Sequence, residues 1–302
     1  MNLEEKANYI SPGINQIQVE MYGFGKELRK YCFLPSKFPL RIKSQHGIVL
    51  WSTPSLHELN SELPFMLVFS KRHQLAWEKI SKKPCFIIPH PFYLYRTRKK
   101  IRPRNDRSGS LFFLSHSTFS KETDINFVQI IKQLKNLPEE FKPVTICLHF
   151  VDILKDKHLL FEKAGFECVT AGHMFNKDFV SNFYDILTNF KYAISNDIGS
   201  HTFYSIELGI PFSLLGESAR VTITKSEELE NLLLNKNLAY QGHMEKLLGR
   251  DVLNDHISPE LKEMVIREMG IVDGIGGFRL GLVLVISSII YFATKSVEKL
   301  FK

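Results

Sequence analysis

Cysteine is scarce in this chain, and none of its four cysteines, at positions 32, 85, 147 and 168, stands in a C-x-x-C pair. That spacing excludes the common zinc-ribbon and dithiol patterns. Three of the four lie in apolar, strand-like runs, which reads as buried thiols in a reducing compartment. The first residues, MNLEEKANYI, are acidic and carry no apolar core of a signal peptide, so export by that route is not expected. Zinc-finger spacing, an RNP motif and a helix-turn-helix are also missing, and no nucleic-acid partner is expected.

What is present is a chain able to bury a full core: 302 residues, 44% of them hydrophobic. The formal net charge is +7, and much of the excess is local, with six cations between Arg96 and Arg104. Such a run is either a solvated linker or a contact for an anionic partner such as lipid or sugar-phosphate.

The chain is organised around SNDIGSHTFYSIELGIPFSLL, residues 195–215. A short apolar strand at Tyr192–Ile194 enters a polar elbow, a helix starts near Ser200, and Gly209 and Pro211 lead into a further strand. A glycine at such an elbow lets backbone N–H groups approach a ligand beside the positive end of the helix. Ser200 and Thr202 either cap the helix or bond a phosphate oxygen. Upstream, strands at Leu111–Leu114, Val144–Phe150 and Phe166–Thr170 alternate with helices at Asp124–Leu137, Ile153–Ala164 and Phe179–Phe190. That rhythm predicts a parallel, doubly wound sheet. The loops after its strands read Ser115-His116-Ser117-Thr118, His149-Phe150-Val151-Asp152, Ala171-Gly172-His173 and Asn196 to Thr202. A parallel sheet puts them on one edge, where small hydroxyls, histidine and glycine together suit an anionic, nucleotide-linked ligand.

The first hundred residues carry a smaller version of the pattern. A helical repeat over Asn15–Cys32 is interrupted at Tyr22-Gly23-Phe24-Gly25, which predicts a break there. Strands follow at Phe65–Ser70 and Cys85–Ile88, with a helix through Trp77 between them, and Pro89-His90-Pro91 ends the second strand. His46 and His90 both fall at strand ends, and each is either ligand-facing or part of a turn. Residues 105–110 read as a boundary between domains.

The order of a short α/β unit, a basic stretch and a second α/β unit, with EMYGFGKELRKY, QHG, HP, SHST and SNDIGSHT…LGIP as motifs, resembles bacterial GT-B glycosyltransferases. It is most similar to the surface-polysaccharide and lipopolysaccharide branches, including sialyltransferase-like and glycerophosphotransferase-like members, over roughly residues 14–216. The resemblance implies two Rossmann-like domains facing a cleft, the first reduced: 1–104 on the acceptor side and 105–217 holding the donor. After them the residues themselves read as a helical extension at 218–277 and an apolar helix at 278–302. The resemblance also implies a nucleotide-sugar donor used as substrate, no separate cofactor, a glycan or lipid-linked acceptor and, with no D-x-D motif in the chain, no obligate metal. Ser115, His116, Ser117 and Thr118, with Asn196, Asp197, Gly199, Ser200, His201 and Thr202, would surround the donor phosphates, joined by His173 and by His90 of the HP motif. Glu20 or His46 would be the base. A ribose-binding glutamate common in the family is replaced here by Tyr204, and Glu207 does not inherit that role.

Helices are expected at Ser226–Leu234 and, with Ser258 as cap and Pro259 in the first turn, at Ser258–Met269. After Arg279 come fifteen residues without charge, LGLVLVISSIIYFAT, and then KSVEKLFK. This segment, flanked by Arg279, Lys295, Lys299 and Lys302, is either a membrane-surface anchor or a helix buried on the protein. An anchor would place the enzyme at the cytoplasmic face of the inner membrane. The rival functions are transfer of a polyol phosphate from a CDP-linked donor, and a non-catalytic membrane-attached scaffold of a glycan-assembly complex.

Overall fold

The computed structural model describes residues 1–117, 123–221 and 239–300. Thr118, Lys302 and the helix expected at Ser226–Leu234 lie outside them. The architecture is α/β, built on two parallel sheets. The first has three short strands, β1 (Lys43–Ser44), β2 (Met66–Val68) and β3 (Cys85–Ile87), paired in chain order. The second has five: β4 (Ser110–Phe113), β6 (Val144–Cys147), β7 (Glu167–Val169), β8 (Tyr192–Ser195) and β9 (Phe212–Leu214), in the order β7-β6-β4-β8-β9. A two-stranded antiparallel ribbon, β5 (Thr123–Asp124) with β10 (Arg220–Val221), lies apart from both.

The order of the larger sheet decides where a ligand can sit. From β4 the chain crosses to β6 and β7 on one side and to β8 and β9 on the other, so the loops after β4 and β8 diverge and leave a crevice at their carboxyl ends. Register aligns those ends, because Phe113 pairs with both Cys147 and Ser195. The three central strands, β4, β6 and β8, are buried over their whole length with apolar side chains on both faces, as parallel strands covered by helices must be.

The expected break in the first helical stretch falls at Tyr22 and Gly23, whose φ angles are 56° and 77°. A 3₁₀ turn precedes it and α2 (Phe24–Tyr31) follows. Glycine is required at position 23, because a Cβ there would sit 2.7 Å from the carbonyl oxygen of Lys177. The helix expected over Ile153–Ala164 is two short ones, α7 (Phe150–Leu154) and α8 (His158–Lys163), because Asp156 adopts a left-handed conformation between them.

The basic stretch departs from the linker reading. Pro91 opens a helix, α5 (Pro91–Lys99), with His90 as its cap, and Arg96, Arg98 and Lys99 form its last turn. Arg96 forms a two-pronged ion pair with Glu207 of α10 (Ser200–Leu208), and Arg98 meets Glu27 of α2 at 2.5 Å. Two of the six cations therefore neutralise buried carboxylates, while Lys99, Lys100, Arg102 and Arg104 face solvent. A continuous core joins the sheets through Phe69, Ile88, Phe92, Leu111, Phe113 and Phe203. The carboxyl-terminal helices α11 (Ala239–Leu248), α12 (Pro259–Glu268) and α13 (Gly277–Leu300) complete it with Met244, Val265 and Leu284.

The Arg96–Glu207 pair leads to a stability prediction. The glutamate side chain is 4% exposed and the arginine 24%, so Arg96→Ala strands a carboxylate in the interior. Urea unfolding should show a loss of about 3 kcal/mol. Arg104→Ala, which removes the exposed pair with Asp106 and a surface hydrogen bond to Asn189, should move the midpoint little.

Candidate functional site

A cleft of about 480 Å³ opens where the carboxyl ends of the larger sheet meet the loop after β1. Ser115 and His116 come from the loop after β4, His149 from the loop after β6, Ala171 from that after β7, and Asp197 to His201 from that after β8. Facing them from the smaller sheet are His46, Gly47, Ile48 and Trp51. The inner wall is aromatic: Tyr22, Phe92, Phe113, Phe179, Phe183 and Tyr204.

The two sides touch at one point. The backbone N–H of Ile48 donates to Ser200 Oγ at 2.9 Å. Gly47 permits the approach, since a Cβ there would lie 2.8 Å from the same oxygen. Ser200 is also the first residue of α10, so the N–H groups of the first turn, which have no acceptor within the helix, lie beside this contact. Gly199 caps the helix through its backbone: its N–H donates to Thr202 Oγ1 at 3.2 Å, and the Thr202 N–H donates to its carbonyl. The positive end of a nine-residue helix therefore opens onto the cleft.

Four imidazoles line the same space. The rings of His116 and His149 stand 4.4 Å apart, and both nitrogens of His149 are buried without a hydrogen-bond partner. His46 is held by Gln18, whose amide lies 2.8 Å from Nδ1. The wall around these rings strips water from the charged form, and every one of the four is pushed below the ordinary histidine value: His201 to about 3, His46 to about 4, His116 downward and His149 well downward. The rings of His46 and His116 are open to water within the cleft, which tempers the effect for these two. All four are neutral at pH 7. The burial that lowers them raises Asp197, and it pushes the Tyr22 phenol up to about 12. Among the described residues, no group of three His, Cys, Asp or Glu side chains converges to hold a metal ion.

No protein-family model matches this sequence, and no curated protein does so at a significant level. Among solved structures, the wall teichoic acid polymerase TagF, in a crystal soaked with CDPG, is similar over 74% of this chain, at 11% identity and a TM-score of 0.37. The match covers 56% of that protein, so this chain spans little more than half of its length. A likeness at this level fixes neither fold nor function.

Of the residues singled out by motif, His46, Ser115, His116, Asp197, Gly199, Ser200 and His201 line the cleft. The others among the described residues stand behind its wall. Glu20 cannot serve as a free base, because both its oxygens are committed to the Arg29 guanidinium in a buried pair. His90 is wholly buried among Phe24, Phe69 and Phe92. Its Nδ1 accepts the Phe92 N–H to cap α5, and its Nε2 lies 3.1 Å from the Tyr204 hydroxyl. Ser117 is locked in a buried network with Thr123 and Lys157 that also engages Asp152. Asn196 uses its side-chain oxygen to hold the Ser115 N–H at 2.9 Å. Thr202 is consumed by the helix cap. His173 packs on Phe150 and accepts the Phe175 N–H, one layer behind His149. Conversely, Tyr22, Gly47, His149 and Tyr204 line the cleft although no assigned role pointed to them. The Tyr22-Gly23 break and the position of His149 after β6 were the available signals.

The neutral rings set a pH dependence of stability. His90, with no charged group against it, has its pKa lowered to about 3 by burial, and His201 likewise. As pH falls through 6.5, the unfolded chain takes up protons that these folded sites refuse. Stability is therefore fully present above about pH 7 and drains between there and the folded values, at up to about 1.4 kcal/mol per pH unit for each ring. Urea unfolding from pH 8 to 4 should show a plateau and then this decline, and His90→Gln should make the slope shallower whatever it does to stability at pH 8.

Proposed function

We propose that the chain is a glycosyltransferase that takes a sugar from a nucleotide-activated donor and passes it to a bacterial surface glycan or lipid-linked acceptor. The observation that carries this is the meeting of a helix N-terminus and a neutral imidazole across one cleft, each borne by a different parallel sheet. The donor phosphate takes the end of α10, where the N–H groups at Ser200 and His201 and the Ser200 hydroxyl supply dipoles without the solvation cost of a buried cation. The aromatic wall accepts the apolar faces of base and sugar, and Asp197 can accept from a sugar hydroxyl.

His46 is the base. Its Nδ1 is engaged by Gln18, whose Oε1 has no other partner; with the amide turned so that Oε1 accepts from Nδ1–H, Nε2 presents its lone pair to the cleft. That nitrogen takes the proton of the acceptor hydroxyl as the oxygen bonds the anomeric carbon and the bond from that carbon to the donor phosphate breaks. The phosphate keeps the electron pair beside α10. Desolvation by the cleft wall lowers the His46 pKa, an effect tempered by the ring's exposure to water, so the imidazole is neutral and able to accept a proton at neutral pH.

A panel of nucleotides, nucleotide sugars and CDP-linked polyols, read by ligand-induced melting shift and then by product formation, tests this. A nucleotide sugar should raise the melting temperature and be consumed. His46→Gln should keep the shift while lowering turnover by about 10²- to 10⁴-fold, and Gly47→Ala should weaken the shift by crowding Ser200. Stabilisation and consumption of a CDP-polyol alone would assign phosphate transfer instead. A panel without any effect would leave a non-catalytic scaffold.

A further inference from the structure

Helix α13 has two apolar faces, and only one of them is used by the protein. Gly277 and Gly281 let it close on the backbone at Tyr31 and Cys32 at the end of α2. Leu280, Leu284, Ser287 and Ser288 are buried, and the two serine hydroxyls donate to the carbonyls of Arg41 and Pro39. Lys295 pairs with Glu62 at 2.8 Å. These bonds fix the helix along the flank of the smaller sheet over nearly its whole length.

On the opposite side, Phe278, Leu282, Ile286, Ile289 and Phe292 are exposed, at 76, 50, 47, 62 and 45%. Their spacing of three and four residues keeps them on one face of the helix, a strip of roughly 20 Å at 1.5 Å per residue. Phe33, 86% exposed and held at a φ of 57°, projects from the same junction where Cys32 meets Gly281. An uninterrupted apolar strip of this length is not ordinary surface. The charged residues that accompany it are mainly cationic: Arg279 and Lys299 are exposed on the helix, and Arg41 stands over the rings of Tyr291 and Phe292. Length and composition would also allow α13 to cross a bilayer. Crossing, however, would carry Glu62, Lys295 and the carbonyls of Pro39 and Arg41 into hydrocarbon along with the helix, at a cost of several kcal/mol for each unsatisfied group.

We propose that α13 lies in the plane of an anionic lipid surface, its free face inserted at the headgroup boundary with Phe33 beside it, while its other face stays on the protein. Such a helix takes affinity from both the inserted apolar area and the neighbouring cations. The proposal is independent of the catalytic reading.

Co-sedimentation of the full chain with vesicles of phosphatidylcholine alone, or with 30 mol% phosphatidylglycerol added, tests it. The protein should pellet with the anionic vesicles and less so at raised salt. Phe278→Glu combined with Ile289→Glu should lower that binding at least tenfold, with the melting temperature kept because both side chains are exposed. Protein that stays in the supernatant at every lipid composition would overturn the proposal. So would a dimer in sedimentation velocity that the same two substitutions dissociate, which would make the strip a contact between copies. Resistance of the membrane-bound protein to alkaline carbonate would equally overturn it in favour of a spanning helix.

Discussion

The stacking of Phe92 on Tyr204 sets the distance between the two halves of the cleft. The rings lie 3.9 Å apart and 13° from parallel, one at the start of α5 behind the smaller sheet and the other in the helix that follows β8. His90 seals the pair from below, its ring 5.0 Å from that of Tyr204. Since α5 and α10 are also tied by Arg96 and Glu207, the end of α10 cannot move relative to the smaller sheet without disturbing a buried aromatic stack and a buried ion pair together. The Ile48–Ser200 contact is the visible result. It is a single hydrogen bond, worth about 1 kcal/mol by itself, and it holds its geometry because the packing beneath it is fixed.

That arrangement explains which parts of the molecule were legible in the sequence. The larger sheet was, almost strand for strand, because parallel strands buried on both faces must be continuously apolar and their helices must repeat every three or four residues. Ser110–Phe113 and Tyr192–Ser195 satisfy the first condition and Phe179–Leu187 the second. Strand β1 was legible only as an extended segment ending at Gln45-His46-Gly47, since two residues, one of them a lysine, carry no periodic signal. The two ion pairs made by the basic stretch were not legible either, for a different reason. Charge pattern along a chain gives no information about carboxylates that arrive from elsewhere, and Glu207 stands more than a hundred residues from Arg96.

The site divides along the same line. Loop membership could be read from sequence, because the carboxyl ends of parallel strands share an edge. Side-chain direction could not. Ser115 and Ser117 are two residues apart in one motif, yet one faces the cleft and the other is sealed in a network with Lys157 and Asp152. Residues such as Asn196 and Thr202 spend their polar groups holding the loop backbone, so the motif SNDIGSHT mixes groups that shape the elbow with groups that meet the cleft. His90 is the sharpest case. A histidine between two prolines looks poised for a ligand, and here its work is to cap α5 and support Tyr204.

Position also links the cleft to the flank of the molecule. The segment Pro39–Arg41, whose carbonyls bind α13, runs directly into β1, and the loop after β1 presents His46 and Gly47. Only a few residues of chain therefore separate the backbone that carries the exposed helix from the imidazole at the cleft.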